Sequence, residues 1–209
     1  MSSRRCLRFA LPVLVGLAAC DDDDPTVPFV PLSEAEAELV GVGLWRQSHG
    51  VSLEIPLGFD FAVGSPVARA PVSIDRKDEG SPACPLAGSV RYEVTVTGTV
   101  DDETGAGSLT IVTEQVHESC TLQEEQLVFT LDGNPGVTTE VDFSTDGVGN
   151  FETSGTMTGE VDAMVGETVG RCPVDLAFEG GETSTGAASY QIAGTMCGVE
   201  VSASFTRGG

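Results

Sequence analysis

Basic side chains are scarce in this chain: ten lysines and arginines stand against 32 acids, a formal net charge of −22. Nucleic-acid binding needs a basic surface to displace counterions and is excluded on that ground. Histidine is scarcer still, with two residues, His49 and His117, which leaves few candidates for a general base near neutral pH. The sequence holds no GxSxG elbow, no HExxH pair and no glycine-rich phosphate loop between strand and helix. Aromatics are sparse, one tryptophan, two tyrosines and nine phenylalanines, and no stacking platform is evident among them. Long apolar runs are missing too. The uncharged stretch Ala10–Ala19 is too short to span a ~30 Å hydrocarbon layer. These absences point away from an enzyme and from any cofactor.

What is present begins at the N-terminus. Residues 1–19, MSSRRCLRFALPVLVGLAA, have a basic start (Arg4, Arg5, Arg8), an apolar middle and small residues at the end, the three parts of a secretory signal. The tetrapeptide Leu17-Ala18-Ala19-Cys20 resembles the lipobox of bacterial lipoproteins, an aliphatic and two small residues before a cysteine. The resemblance implies that Cys20 is lipidated, that residues 1–19 are removed, and that the chain is held to a membrane on the non-cytoplasmic side of the cell envelope. An ordinary cleaved signal is the alternative, but it leaves an odd cysteine behind. Each buried methylene contributes ~0.8 kcal/mol, so two or more acyl chains anchor firmly where one does not. Residues 20–32, with Asp21–Asp24 and prolines at 25, 28 and 31, read as an acidic, semi-rigid tether. Without residues 1–19 the formal charge is 7 − 32 = −25, which disfavours docking on anionic headgroups and leaves the lipid to do the anchoring.

Cysteine usage agrees with export. With Cys6 and Cys20 set aside, Cys84, Cys120, Cys172 and Cys197 form an even set, expected as two disulfides. Zinc is the alternative, but no CxxC pair exists. The segment from Cys84 is echoed by the one from Cys172: each has Cys-Pro, an acidic Gly/Thr turn and a return toward another cysteine. The midpoint of Cys84 and Cys120 falls in DDETG, and that of Cys172 and Cys197 in GETSTG. Residues equidistant from a hairpin turn face each other, so the expected bridges are Cys84–Cys120 and Cys172–Cys197, with a bulge able to shift partners by one residue. A change of strand phase is expected near Cys197-Gly198.

Residues 33–209 are expected to form one disulfide-linked β-domain with a short N-terminal helix. SEAEAELVGVGLWRQ carries a capping box, Ser33 and Glu36, and an apolar face of Leu39, Val42 and Trp45. His49 reads as a polar residue at the helix exit. From about residue 50 the period is two. VSLEI, FDFAV, PVSID, SVRYEVTVTGTV, SLTIVTEQV, QLVFTL, VTTEVDFS, NFETSGTMTGEV, CPVDLAF, ASYQIAGTM and VEVSASF are strand candidates, separated by clusters such as DGNPG and TDGVG. Short connections imply an antiparallel meander forming a barrel or a sandwich.

Two chemical candidates remain. In QVHESC, His117 lies beside Glu118 and Ser119, but strand neighbours point to opposite faces, and a solvated strand-end histidine is the simpler reading. In DFSTDGVGNFE, Asp142, Ser144, Asp146 and Asn150 occupy EF-hand-like ligand positions, but position 12 is Thr153 rather than an acid, so a hairpin turn is the simpler reading and no metal is assigned. The sequence thus supports a non-enzymatic envelope lipoprotein that binds a protein or polymer partner. A barrel carrying a small apolar ligand is the alternative, and a hydrolase the second alternative.

Overall fold

Period-two alternation governs most of the chain, and the computed structural model turns it into eight strands. It describes residues 31–57 and 71–208, without the side chains of 50–57, 134 and 135. Helix α1 (Glu34–Leu57) is followed by β1 (Val72–Gly80), β2 (Ala87–Val100), β3 (Ala106–Glu124), β4 (Leu127–Asp146), β5 (Phe151–Val165), β6 (Thr168–Glu182), β7 (Ala188–Met196) and β8 (Val199–Arg207). Each strand pairs antiparallel with the next, in the order β1 to β8. The fold is therefore mainly β, an antiparallel meander with one N-terminal helix.

Alternation sorts the faces as expected. On β2, Val90, Val94, Val96 and Val100 are buried while Arg91, Glu93, Thr97 and Thr99 are exposed. The same inner face carries Ile111, Phe129, Leu131, Val141, Met157, Leu176, Ile192 and Met196, all at most 2 % exposed. The edge strand β1 carries Asp75, Arg76, Lys77, Asp78 and Glu79 in succession, a charge load that discourages edge-to-edge pairing with another sheet.

Helix α1 begins with the capping box: the Ser33 backbone N–H donates to Glu36 Oε2 at 2.9 Å, and the Glu36 N–H donates back to Ser33 Oγ at 3.4 Å. Ser33 holds the Glu36 carboxyl below its usual range. The helix does not stop near Gln47 but runs to Leu57, so VSLEI, expected as a strand, is helical. Ser48 and His49 extend the buried stripe of Trp45 by one turn, and packing overrides the local alternation. FDFAV lies outside the described residues.

One stretch of the helix shows how the sheet is bent. Residues 41–46 touch β3 through Arg46 and Glu124, β4 through Gly43 and Phe129, β7 through Gly41 and Met196, and β8 through Trp45 and Phe205. In a flat sheet β3 and β8 lie about 24 Å apart, five spacings of ~4.8 Å. A helix about 10–12 Å across cannot bridge that distance within one and a half turns. The sheet is curled around α1, and no pairing joins β1 to β8 among the described residues.

DGNPG is not the turn that its composition suggests. It is a bulge inside the single strand β4: the register with β3 jumps from Leu131–Cys120 to Val137–Gln115, and that with β5 from Asp132–Asp162 to Gly136–Glu160. Both halves of β4 keep the same neighbours, so the turn-forming residues are absorbed as extra length. The phase change at Cys197-Gly198 is a two-residue hairpin turn rather than a bulge: Met196 faces Val199, and both turn residues have positive φ, 55° and 79°.

Candidate functional site

The structure joins Cys84 to Cys120 and Cys172 to Cys197, the pairs that the hairpin midpoints pick out. Neither bridge lies within a regular ladder. Cys84 sits in the connection before β2, and Cys197 sits in the β7–β8 turn, where its N–H donates to the Pro173 carbonyl at 3.0 Å. Cys20 lies outside the described residues.

The calcium candidates form a turn. Asp146 Oδ1 accepts the N–H groups of Val148 at 2.9 Å and Asn150 at 3.1 Å, and Oδ2 accepts from the Asn150 side chain. Asn150 Oδ1 in turn accepts the Ser184 N–H at 2.8 Å. The Asn150 side chain, followed by the Val148 N–H, keeps the Asp146 carboxyl below its usual range. Asp142 stands four residues up the strand, about 13 Å at ~3.3 Å per residue, and accepts from Thr110 Oγ1 at 2.9 Å. Asp142, Ser144, Asp146 and Asn150 do not converge on one point. Among the described residues, no group of three or more His, Cys, Asp or Glu side chains is placed to hold a metal ion.

Both histidines are elsewhere than expected. His117 is not a solvated strand-end residue: it continues the inner-facing series Leu109, Ile111, Thr113, Gln115 on β3 and is 2 % exposed. Glu118 points outward to Arg91 at 2.8 Å. Ser119, held at φ 49° by the bulge, donates its N–H to Asp132 at 2.6 Å. No nucleophile–base contact forms between Ser119 and His117: Ser119 is exposed and donates through both its N–H and its hydroxyl to Asp132, whereas His117 is buried with no hydrogen-bond partner among the described residues. His49 is not at a helix exit. It is buried on α1, stacked on Trp45 with ring centroids 4.8 Å apart, with Phe178 and Tyr190 edge-on at 5.7 and 5.2 Å. Burial pushes both imidazoles down to about 4; for His117 the nearby Asp132 charge acts weakly the other way.

What the fold assembles is a seam between α1 and the inner face of the sheet. At its β6–β8 side the sequence-distant aromatics Trp45, Phe178, Tyr190 and Phe205 converge with His49, Trp45 and Phe205 stacking at 5.4 Å. Arg46 lies over the Phe205 ring at 4.7 Å and bonds Glu124 at 2.6 Å, so one guanidinium links β8 to β3. At the β3–β4 side the contact turns polar: Ser48 Oγ donates to Gln115 Oε1 at 2.8 Å, beside buried Thr113, His117 and Thr139. The ring nitrogens of both histidines, Gln115 Nε2 and Thr139 Oγ1 have no hydrogen-bond partner among the described residues. The shared parity of Thr113, Gln115 and His117 with Leu109 and Ile111 was the sequence signal for this seam. For Arg46 and Glu124, 78 residues apart, there was none.

The opposite face of the sheet is hydroxyl- and acid-rich. Thr97, Thr110, Asp142, Ser154, Glu179 and Gln191 stand in register from β2 to β7 and line a groove of about 860 Å³. Compared with known proteins, the chain matches no family model, no curated protein and no solved structure.

Proposed function

We propose that the chain is a non-enzymatic lipoprotein of the bacterial cell envelope, anchored through Cys20 and offering the outer face of its sheet to a protein or polymer partner. The observation that carries this reading is the position of α1. The element that follows the tether occupies the concave side of the sheet, with Gly41 and Gly43 set against Met196 and Phe129. The ordered contact surface is then the outer face, whose acids and hydroxyls suit a basic or hydroxyl-rich partner. The curled sheet is an open barrel with α1 standing inside it. A carrier of a small apolar ligand needs that interior space, so the seated helix favours the partner-binding role. A hydrolase is disfavoured by the divergence of His117 and Ser119. Two disulfides suit an oxidising compartment outside the cytosol.

The test is metabolic labelling with palmitate in the native host, followed by crosslinking in intact cells. Label on Cys20, lost in Cys20→Ser, together with one dominant envelope partner captured through outer-face residues such as Glu179, is the expected result. An unlabelled product whose Cys20 thiol remains alkylatable overturns the anchor. Co-purification of stoichiometric lipid inside the folded module overturns the partner-binding role in favour of the carrier.

A further inference from the structure

We propose that α1 is an acid-releasable strap: acidification detaches it from a sheet that its own disulfides keep folded. The covalent layout permits this. Cys84–Cys120 ties the β1–β2 connection to β3, and Cys172–Cys197 ties β6 to the β7–β8 turn. Neither bridge reaches α1, which is held by packing, the Arg46–Glu124 pair and the Ser48–Gln115 hydrogen bond.

The seam is also unusually polar for a helix–sheet contact. His49 faces it from α1, and His117 faces it from the stretch of β3 that α1 covers. Around His49 stand Trp45 on its own helix, Phe178 on β6 and Tyr190 on β7. The charges beyond them are already engaged, Glu182 with Arg207 at 2.8 Å and Arg46 with Glu124. Around His117, β2 contributes Val90 and β4 contributes Asp132, whose carboxylate accepts from Ser119. Glu118 beside it is turned outward to Arg91, and Glu124 further along β3 is paired with Arg46. Among the described residues no carboxylate is placed to welcome an imidazolium at His49, and only Asp132 partly offsets burial at His117.

The direction follows from proton linkage. Each histidine binds its proton at about 4 when strapped, against 6.5 for the ordinary group. The released state therefore binds more protons, and the strapped state is fully favoured above the ordinary value. That preference is lost as pH falls from 6.5 toward 4, with little further change below. At about pH 4.5 each histidine exposed on release shifts the equilibrium toward release by about 80-fold. Because α1 follows the tether directly, release lengthens the reach of the sheet and uncovers its concave face around Phe129 and Met196. This inference concerns the folded module and stands whether or not Cys20 is lipidated.

Trp45 is the only tryptophan in the chain and sits on α1, so it reports the strap alone. The experiment titrates the full, disulfide-intact chain from about pH 7.5 to about 4, following Trp45 emission and iodide quenching alongside amide exchange in β3–β6. The expected result is a red shift and greater quenching of Trp45, with a midpoint below 6.5, while the β3–β6 amides stay protected. His49→Phe and His117→Gln each move that midpoint downward, and together they abolish the response. If His49→Phe misfolds, His117→Gln alone carries the test. Simultaneous loss of Trp45 burial and β3–β6 protection overturns the proposal, because it is global unfolding. An unchanged Trp45 signal down to pH 4, or a midpoint unmoved by the folded variants, overturns it as well.

Discussion

Two glycines two residues apart on α1 face the sheet in opposite circumstances, and replacing each with alanine separates helix propensity from packing. A Cβ at Gly41 meets Met196 Cβ and Cγ at 3.5 Å, an ordinary van der Waals contact. Gly41→Ala therefore gains the helical preference of alanine, about 1 kcal/mol, and buries a methyl without strain. A Cβ at Gly43 lands 2.6 Å from Phe129 Cζ, and Phe129 is 1 % exposed and unable to swing into solvent. The same propensity gain is then opposed by overpacking of about 1–3 kcal/mol. The expected net effect of Gly43→Ala is a loss of roughly 0–2 kcal/mol, so the two variants should differ by about 1–3 kcal/mol. Thermal and urea unfolding with disulfides intact reads the difference directly, at about 2–4 °C per kcal/mol for a chain of this length. Equal shifts for both variants, or stabilisation by Gly43→Ala equal to that by Gly41→Ala, would refute the seating of the helix against Phe129.

Three further predictions follow from named contacts. Arg46→Met leaves Glu124, whose side chain is 9 % exposed, without its partner; because Arg46 is half exposed the loss is discounted to about 1–2 kcal/mol, and Glu124→Gln in the same chain should recover part of it in a double-mutant cycle. Removing either bridge by paired Cys→Ala replacement should cost about 3–4 kcal/mol, given sequence separations of 36 and 25 residues, measured as a lower urea midpoint. Asp146→Ala should speed amide exchange at Val148 and Asn150, and added calcium should leave the melting temperature of the unsubstituted chain unchanged; calcium stabilisation lost in Asp146→Ala would restore a metal role for this turn.

The strands were legible because one face of each is buried, and Val90, Val94 and Val96 announce that face two residues at a time. The cysteine pairing was legible for a related reason, since a hairpin fixes which residues approach. The helix was half legible. Ser33 and Glu36 mark its start, but its extension to Leu57 depends on contacts made by Ser48 and His49 with strands far along the chain. DGNPG misled because five turn-forming residues look alike whether they end a strand or bulge from it, and only the continued pairing on both sides decides. The polarity of His117 suggests solvent, but its parity with the odd-numbered Gln115 and Ile111 places it on the inner face. The aromatic convergence around Trp45 had no local signal, since Phe178, Tyr190 and Phe205 lie on three different strands.

The seat of α1 within the curl of the sheet is read most directly by nuclear Overhauser effects in the full, oxidised chain. Cross-peaks between the Gly43 α-protons and the Phe129 ring, and between the Trp45 and Phe205 rings, are expected together, since the helix touches β4 and β8 within one turn. Absence of both, with the β4 and β8 ladders intact, would contradict the seated helix and the reading of the outer face as the surface left for a partner.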